Sequence, residues 1–337
     1  MKKRKLGNIE VSTIGMGCMG FSHGYGQIPD RQYSIEAIRM AYEAGCTFFD
    51  TAEGYGSVLY WPGHNEQIVG EAVQDFRKNI VIATKFRVSK DIDIQNTAEV
   101  ENNIRDHLAQ SMKNLKTDYV DLYYLHRYNK EMSIETIAEI MGKLIDEKKI
   151  GGWGLSQINP ELLKKAHAIT PVSAVQSLYN MVERDAEKEL LPFCLHSNIG
   201  FVPFSPTSSG LFSGKLSKQS DFSHSDDVRK YVPQLKKENI EGNQPIIDLI
   251  MTYADRKKAT GTQIALVWML KKYPNVVPIP GSKNKERILE NLSSANIILS
   301  DEEFTELDTA LCAMPVYGHR GTVEYDGSSM NDWGKLK

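Results

Sequence analysis

The chain has 337 residues and a mass of 38.0 kDa, with 41% hydrophobic and 25% charged residues. That composition supplies a large core and excludes disorder across the whole chain. A formal net charge of -3 excludes the broad basic face that a nucleic-acid binder uses to neutralise phosphates.

The basic opening Met1-Lys2-Lys3-Arg4-Lys5 runs into Leu6-Gly7-Asn8. A signal peptide needs an apolar stretch of about 7 to 15 residues there, so Lys3 to Val11 is read as a small β-hairpin. Short apolar runs with β character then recur at Val11–Met16, Cys46–Phe49, Ile80–Ala83, Tyr119–Tyr124, Gly152–Leu155, Val172–Gln176, Gly200–Pro203 and Val276–Ile279. Helical patterns alternate with them, as in Val100, Ile104, Leu108, Met112 and Leu115, whose spacing of three and four puts every apolar residue on one face. Asn96 with Glu99, Ser133 before the Ile137, Ile140, Leu144 stripe, and Asn159-Pro160 mark helix starts.

Eight β/α units with short connections and no Pro/Gly/Ser-rich linker predict one closed (β/α)8 TIM barrel, because parallel strands need helical crossovers. The expected domain spans 1–316, with the N-terminal hairpin before the barrel and extra helices at its C-terminal end. The tail 317–337 is expected either to cover the active-site mouth or to stay disordered. The one long connection, from Ser205 to about Asn243, reads as a functional loop or lid.

Gly15-Met16-Gly17-Cys18-Met19-Gly20 matches G-x-G-x-x-G after a strand. A Rossmann turn would open a helix at the third glycine, yet Phe21 to Gln27 reads as a loop. The glycines are therefore expected to let backbone approach a ligand at the barrel mouth. Cys18, Cys46, Cys194 and Cys312 form no C-x-x-C pair and read as buried or loop thiols. The histidines show no metal spacing, so no metal is expected. No run approaches about 18 apolar residues, so no membrane span and a cytoplasmic location are expected.

Barrel enzymes carry their chemistry at the C-terminal ends of the strands. Asp50, Lys85 and His126 all occupy such ends, and Tyr55 lies in the loop after Asp50. This order resembles the catalytic Asp, Tyr, Lys and His of the aldo-keto reductase family. The resemblance extends through Gly154-Leu155-Ser156, Gln176 to Asn180, Ser205-Pro206 and Pro278 to Lys283. Gly214-Lys215, Arg229, Pro233, Glu238-Asn239 and Ala265 to Trp268 are similar to its long-loop, bacterial-type members.

The resemblance implies hydride transfer to an aldehyde or ketone. Charge built on the carbonyl oxygen needs a proton donor, a role for Tyr55 if a nearby Lys85 ammonium lowers its pKa from about 10. Asp50 would hold Lys85 charged, and a neutral His126 would donate to or orient the substrate oxygen. Among cofactor contacts, the resemblance implies Gly17, Met19 and Asp50, with Ser156, Gln157 and Gln176 on the nicotinamide carboxamide and Tyr179 stacked on its ring. The family commonly has Asn at the position of Gln157. Ser205, Pro206, Thr207, Gly210 and Lys215 would wrap the pyrophosphate.

Gly281, Ser282, Lys283 and Arg287, followed by Glu290 and Asn291, would meet the adenosine end. Two cations and a hydroxyl suit a 2′-phosphate, so NADPH is expected over NADH. Ser57 to Gly63 looks like an insertion whose Trp61 either walls the substrate pocket or packs on the barrel rim. Small aldehydes, ketones and sugar-derived carbonyls all remain admissible substrates. The rival reading is a regulatory protein that keeps barrel and nucleotide with little turnover, similar to ion-channel β-subunits of this superfamily.

Overall fold

The computed structural model describes residues 1–321; 322–337, most of the expected tail, lie outside the described residues. Strands β1 (Lys3–Leu6) and β2 (Ile9–Ser12) form an antiparallel hairpin. Seven parallel strands follow in sequential order: β3 (Met16–Gly17), β4 (Phe48–Asp50), β5 (Val81–Phe86), β6 (Leu122–Leu125), β7 (Trp153–Ser156), β8 (Ala174–Leu178) and β9 (Gly200–Phe204). The helices are α1 (Arg31–Glu43), α2 (His64–Val73), α3 (Thr97–Leu115), α4 (Ile134–Asp146), α5 (Pro160–Ile169), α6 (Leu190–His196), α7 (Lys237–Gly242), α8 (Gln244–Lys257), α9 (Gly261–Lys272), α10 (Lys285–Ser293) and α11 (Asp301–Ala313). The expected caps are present: the side chains of Asn96, Ser133 and Asn159 accept from the first-turn amides of α3, α4 and α5, and Pro160 opens α5.

The eighth barrel position is filled by 276–281, which bonds to β9 through Val277 N to Phe201 O (2.8 Å) and to β3 through Gly15 N to Pro278 O (2.9 Å). Pro278 and Pro280 have no N–H to give, so this segment closes the barrel through scattered bonds rather than a regular ladder. The first barrel strand is also shorter and later than expected. Val11 belongs to the hairpin, and only Met16–Gly17 pair in the barrel.

Side chains alternate across each strand. Phe48, Val81, Ala83, Leu122, Tyr124, Ala174, Val202 and Val277 fill the barrel interior together with Leu6 and Val11 of the hairpin, which plugs its lower end. The opposite parity, including Phe49, Ile82, Tyr123, Leu155, Val175 and Phe201, packs outward with the helix layer. Side chains on both faces are thus buried, as parallel sheets require.

The glycine-rich segment has a different cause from the one expected. A Cβ on Gly15 would lie 2.5 Å from Phe48 Cδ1, and one on Gly17 would lie 2.9 Å from the carbonyl of Ile279. These glycines let β3 meet the closing segment. Only a short 3-10 turn, Met19–Phe21, follows, and α1 begins ten residues later at Arg31. Gly17→Ala should therefore destabilise the fold by about 1 to 3 kcal/mol, the usual cost of overpacking. Gly20→Ala, whose Cβ meets nothing within 4 Å, is the matched control, and urea unfolding of the two variants reads the difference.

Candidate active site

Period-two alternation determines which side chains rise at the barrel mouth. Two residues beyond the interior Phe48, Ala83, Tyr124 and Ala174 stand Asp50, Lys85, His126 and Gln176. Parallel pairing of β4 with β5, β5 with β6 and β7 with β8 sets them side by side. Tyr55 arrives from the β4–α2 loop.

The Lys85 ammonium donates to Asp50 Oδ1 (2.5 Å), the Thr51 carbonyl (2.8 Å) and Tyr55 Oη (3.0 Å). A neutral amine has only two N–H bonds, whereas three acceptors match the three protons of –NH3+. A charged lysine satisfies all three contacts at once, although its side chain is fully buried. Burial opposes that charge, but Asp50 and Tyr55 outweigh it and hold the Lys85 pKa above its usual value. Gln176 Nε2 donates to Asp50 Oδ2 (2.8 Å), so each carboxylate oxygen has a donor. Burial pushes Asp50 upward, and Lys85 and Gln176 pull it back.

Tyr55 departs from the expected direction. Burial raises the phenol above its usual value, and Lys85 only partly offsets this. The site therefore holds a neutral phenol, the protonated form that a proton donor needs. Because Lys85 donates to Oη, the phenol's own proton is directed elsewhere. The His126 ring meets Tyr55 edge-on at 5.8 Å between centroids. Burial first, then the cations Arg127, Arg87 and Lys85, drive the His126 pKa well down, so its imidazole is neutral.

The loop carrying Tyr55 is anchored from below. Glu53 accepts from Arg87 N (2.9 Å) and pairs with His107 Nδ1 (2.7 Å), and Ser89 Oγ meets His107 Nε2 at 3.0 Å. Gly63 N donates to Glu53 O (2.7 Å), closing the loop where α2 begins. Trp61 packs at the rim: its ring stands edge-on to His64 at 5.0 Å, and Nε1 donates to Gln67 Oε1 (3.3 Å).

The expected cofactor residues divide. Ser156, Gln157 and Gln176 are buried at the ends of β7 and β8 on the side of Asp50. Gln157 adopts a left-handed φ of 54°, a conformation Asn tolerates better than Gln, which accounts for the Asn common at this position. Tyr179 does not face the mouth. It shares the outward parity of Val175, is fully buried against Phe201, Trp268 and Tyr273, and donates to Glu187 Oε1 (2.8 Å). No ring face remains for a nicotinamide. Parity points instead to Phe204, two residues beyond the interior Val202 and half-buried at the end of β9; alternation along Gly200–Phe204 was the signal for it.

After β9, Ser205 to Gly214 coils in 3-10 turns, and Ser208, Ser209 and Gly210 all have positive φ (47°, 55° and 96°). Consecutive amides in such a bend form a concavity suited to an anion. Buried Ser209 Oγ has no hydrogen-bond partner among the described residues. This donor set fits a dinucleotide pyrophosphate. Pro206 and Thr207 lie at the start of the bend, and Lys215 is exposed beyond it.

The rest of the long connection crosses to the β3–α1 loop. Tyr25 bridges Asp227, and Gly24 N donates to Asp226 Oδ2 (2.8 Å). Beside this clasp, Lys283 donates to the carbonyls of Tyr25 (2.8 Å) and Gln27. Ser282 lies half-buried and Arg287 exposed at the N-terminal end of α10, while Gly281 bridges Gly17. Glu290 accepts from Thr260 Oγ1 (2.8 Å), holding α10 to the start of α9, and Asn291 is buried behind it. Met19 lies in the turn after β3. Of the tail, Asn243 binds Tyr317, and Arg320 Nε donates to Ser205 Oγ (3.0 Å).

With this geometry in place, the comparisons are specific. The model of the aldo/keto reductase family matches residues 13–311. The chain belongs to the aldo/keto reductase family. Its relatives include a probable aldo-keto reductase 1 of Glycine max, 35% identical over 98% of this chain and 93% of that protein. A thermostable aldo-keto reductase solved with the inhibitor epalrestat superposes with a TM-score of 0.73 at 29% identity, covering 92% of this chain and 99% of its own. An aldo/keto reductase from Klebsiella pneumoniae, solved with NADP and acetate, superposes at 0.70 with 26% identity, covering 95% and 98%. The family makes this chain an oxidoreductase built on an α/β barrel.

The anchoring pair has a pH consequence. Glu53 first of all raises the His107 pKa above 6.5, against burial. A folded-state pKa above the unfolded value contributes stability that is present below about pH 6.5 and lost as pH rises through the raised value. His107→Gln should remove this component. Urea midpoints of wild type and variant, measured between pH 5.5 and 9, should differ most at the acid end and converge at the alkaline end.

Proposed function

We propose that this protein reduces aldehydes or ketones to alcohols with NADPH, Tyr55 acting as general acid. The observation that carries the proposal is the single Lys85 ammonium bonded at once to Asp50, Thr51 and Tyr55. Charge developing on the substrate oxygen in the transition state needs donors already in place. Tyr55 Oη gives its proton to that oxygen. The ammonium at 3.0 Å stabilises the phenolate left behind. Asp50, braced by Gln176, keeps the ammonium aimed, and neutral His126 donates its ring N–H to the same oxygen and fixes its approach.

Bound nicotinamide supplies the hydride to the carbonyl carbon. Support for NADPH comes from the Klebsiella pneumoniae relative solved with NADP and from Ser282, Lys283 and Arg287 beside the clasp. Ser156 and Gln157 would hold the carboxamide, Phe204 would face the ring, and the bend at Ser208 to Gly210 would receive the pyrophosphate.

Tyr55→Phe should lower kcat for NADPH-dependent reduction of an aldehyde such as 4-nitrobenzaldehyde by at least about 100-fold, the scale of general acid catalysis. NADPH binding, followed by quenching of protein fluorescence, should persist. Retained turnover would remove Tyr55 from the role, and wild-type binding without turnover of any carbonyl would favour a regulatory protein. A Lys283→Ala, Arg287→Ala double change should weaken NADPH by about 1.5 to 3 kcal/mol or more and NADH far less. Equal loss of both cofactors would refute the 2′-phosphate assignment.

A further inference from the structure

The mouth also carries two guanidiniums, of Arg87 and Arg127, that the reduction itself does not require. Arg87 follows β5 with the same parity as Ala83 and Lys85. The ladder bond from His126 N to the Phe86 carbonyl (2.8 Å) sets it beside His126. Its backbone N–H is fixed on Glu53 Oε1 (2.9 Å), yet among the described residues its guanidinium makes no hydrogen bond or ion pair. Arg127, one residue past His126, donates through Nη1 to the His126 carbonyl (2.5 Å) and Ser156 Oγ (3.0 Å). That places a second guanidinium at the same strand ends.

Among the described residues, the carboxylates near Arg87 are committed elsewhere. Asp50 is held by Lys85 and Gln176, and the second oxygen of Glu53 is held by His107 at 2.7 Å. Each of those pairs is internally balanced. The Arg87 guanidinium therefore adds positive charge to the mouth, and burial followed by the repulsion of Arg87 lowers the Arg127 pKa to about 9. A half-buried guanidinium without a hydrogen-bond or ion-pair partner is a cost that an anion beside Arg87 would relieve, since a planar guanidinium pairs bidentately with carboxylate or phosphate.

We propose that the substrate pocket selects carbonyl compounds carrying an anionic oxo group, carboxylate or phosphate, with Arg87 as its primary partner and Arg127 beside it. This rests on the reductase reading and narrows it to a substrate class. Arg87 binds the anion and takes no part in the proton transfer, so it sets specificity rather than the chemical step.

The test compares substrates that differ in charge: 4-carboxybenzaldehyde against methyl 4-formylbenzoate, and glyceraldehyde 3-phosphate against glyceraldehyde. The first pair reports on carboxylate and the second on phosphate. Wild type should favour the charged member of at least one pair by about tenfold to a hundredfold in kcat/KM, the worth of a charge-assisted hydrogen bond. Arg87→Gln should collapse that ratio, mainly through KM, and Arg87→Lys should restore part of it. A wild-type enzyme without preference in either pair, or an equal fall for both members in Arg87→Gln, overturns the proposal. If no carbonyl is reduced, the reductase reading fails, and binding decides the anion site separately. Benzoate should then bind the NADP-loaded protein at least about tenfold more tightly than benzamide, with the difference lost in Arg87→Gln; equal binding overturns it.

Discussion

A fully buried ammonium with three acceptors and three protons is the constraint around which the rest is arranged. Lys85 can stay charged in the barrel only because Asp50, the Thr51 carbonyl and Tyr55 surround it. Removing one partner of such a pair leaves an uncompensated charge in the interior, at a cost of roughly 3 to 5 kcal/mol. The requirement reaches outward through real contacts. Asp50 needs Gln176 for its second oxygen, Thr51 must present its carbonyl inward while its hydroxyl donates to Asn65 (2.7 Å), and Tyr55 must be held by its loop. Three strands and the start of α2 are thereby committed to the position of one nitrogen.

The same constraint explains why the anchoring of the Tyr55 loop is polar. An apolar contact fixes distance loosely, whereas the 3.0 Å contact between Lys85 and Tyr55 needs direction. Glu53 supplies it by bonding at once to the Arg87 amide and to His107. The segment 57–63 leaves this arrangement intact because it closes on itself: Gly63 returns to Glu53, and Tyr60 stacks on His64 at 4.0 Å between centroids.

Much of this was legible in the sequence because it depends on local pattern. Strand–helix alternation fixed the barrel, and strand-to-loop junctions located Asp50, Lys85 and His126. What escaped depends on parity or on distant backbone. Tyr179 sits next to a well-matched motif, but counting from Ala174 by twos reaches Gln176 and Leu178, leaving Tyr179 on the outer face. Gly15 and Gly17 looked like a ligand-facing run because nothing local reveals that Phe48 and Ile279 press on them. The direction of the Tyr55 pKa was misjudged for a related reason: the charge of Lys85 was visible in sequence order, while the burial that outweighs it was not.

Parity also separates chemistry from selectivity at this mouth. Asp50, Lys85 and Gln176 are inward residues of paired strands and His126 directly follows β6 with its amide on the Phe86 carbonyl, so their positions are fixed by bonding that the whole barrel maintains. Arg87 and Arg127 lie one or two residues beyond, where the ladder has ended; the Arg87 backbone is held by Glu53, and the Arg127 guanidinium reaches the His126 carbonyl and Ser156. A side chain placed by the barrel can hold a proton donor to within a few tenths of an ångström, which proton transfer demands. One placed by a loop can change identity without disturbing the relay behind it. Charge for recognising a substrate therefore suits the loop positions, while the lysine and carboxylate that hold the Tyr55 phenol sit on the strands.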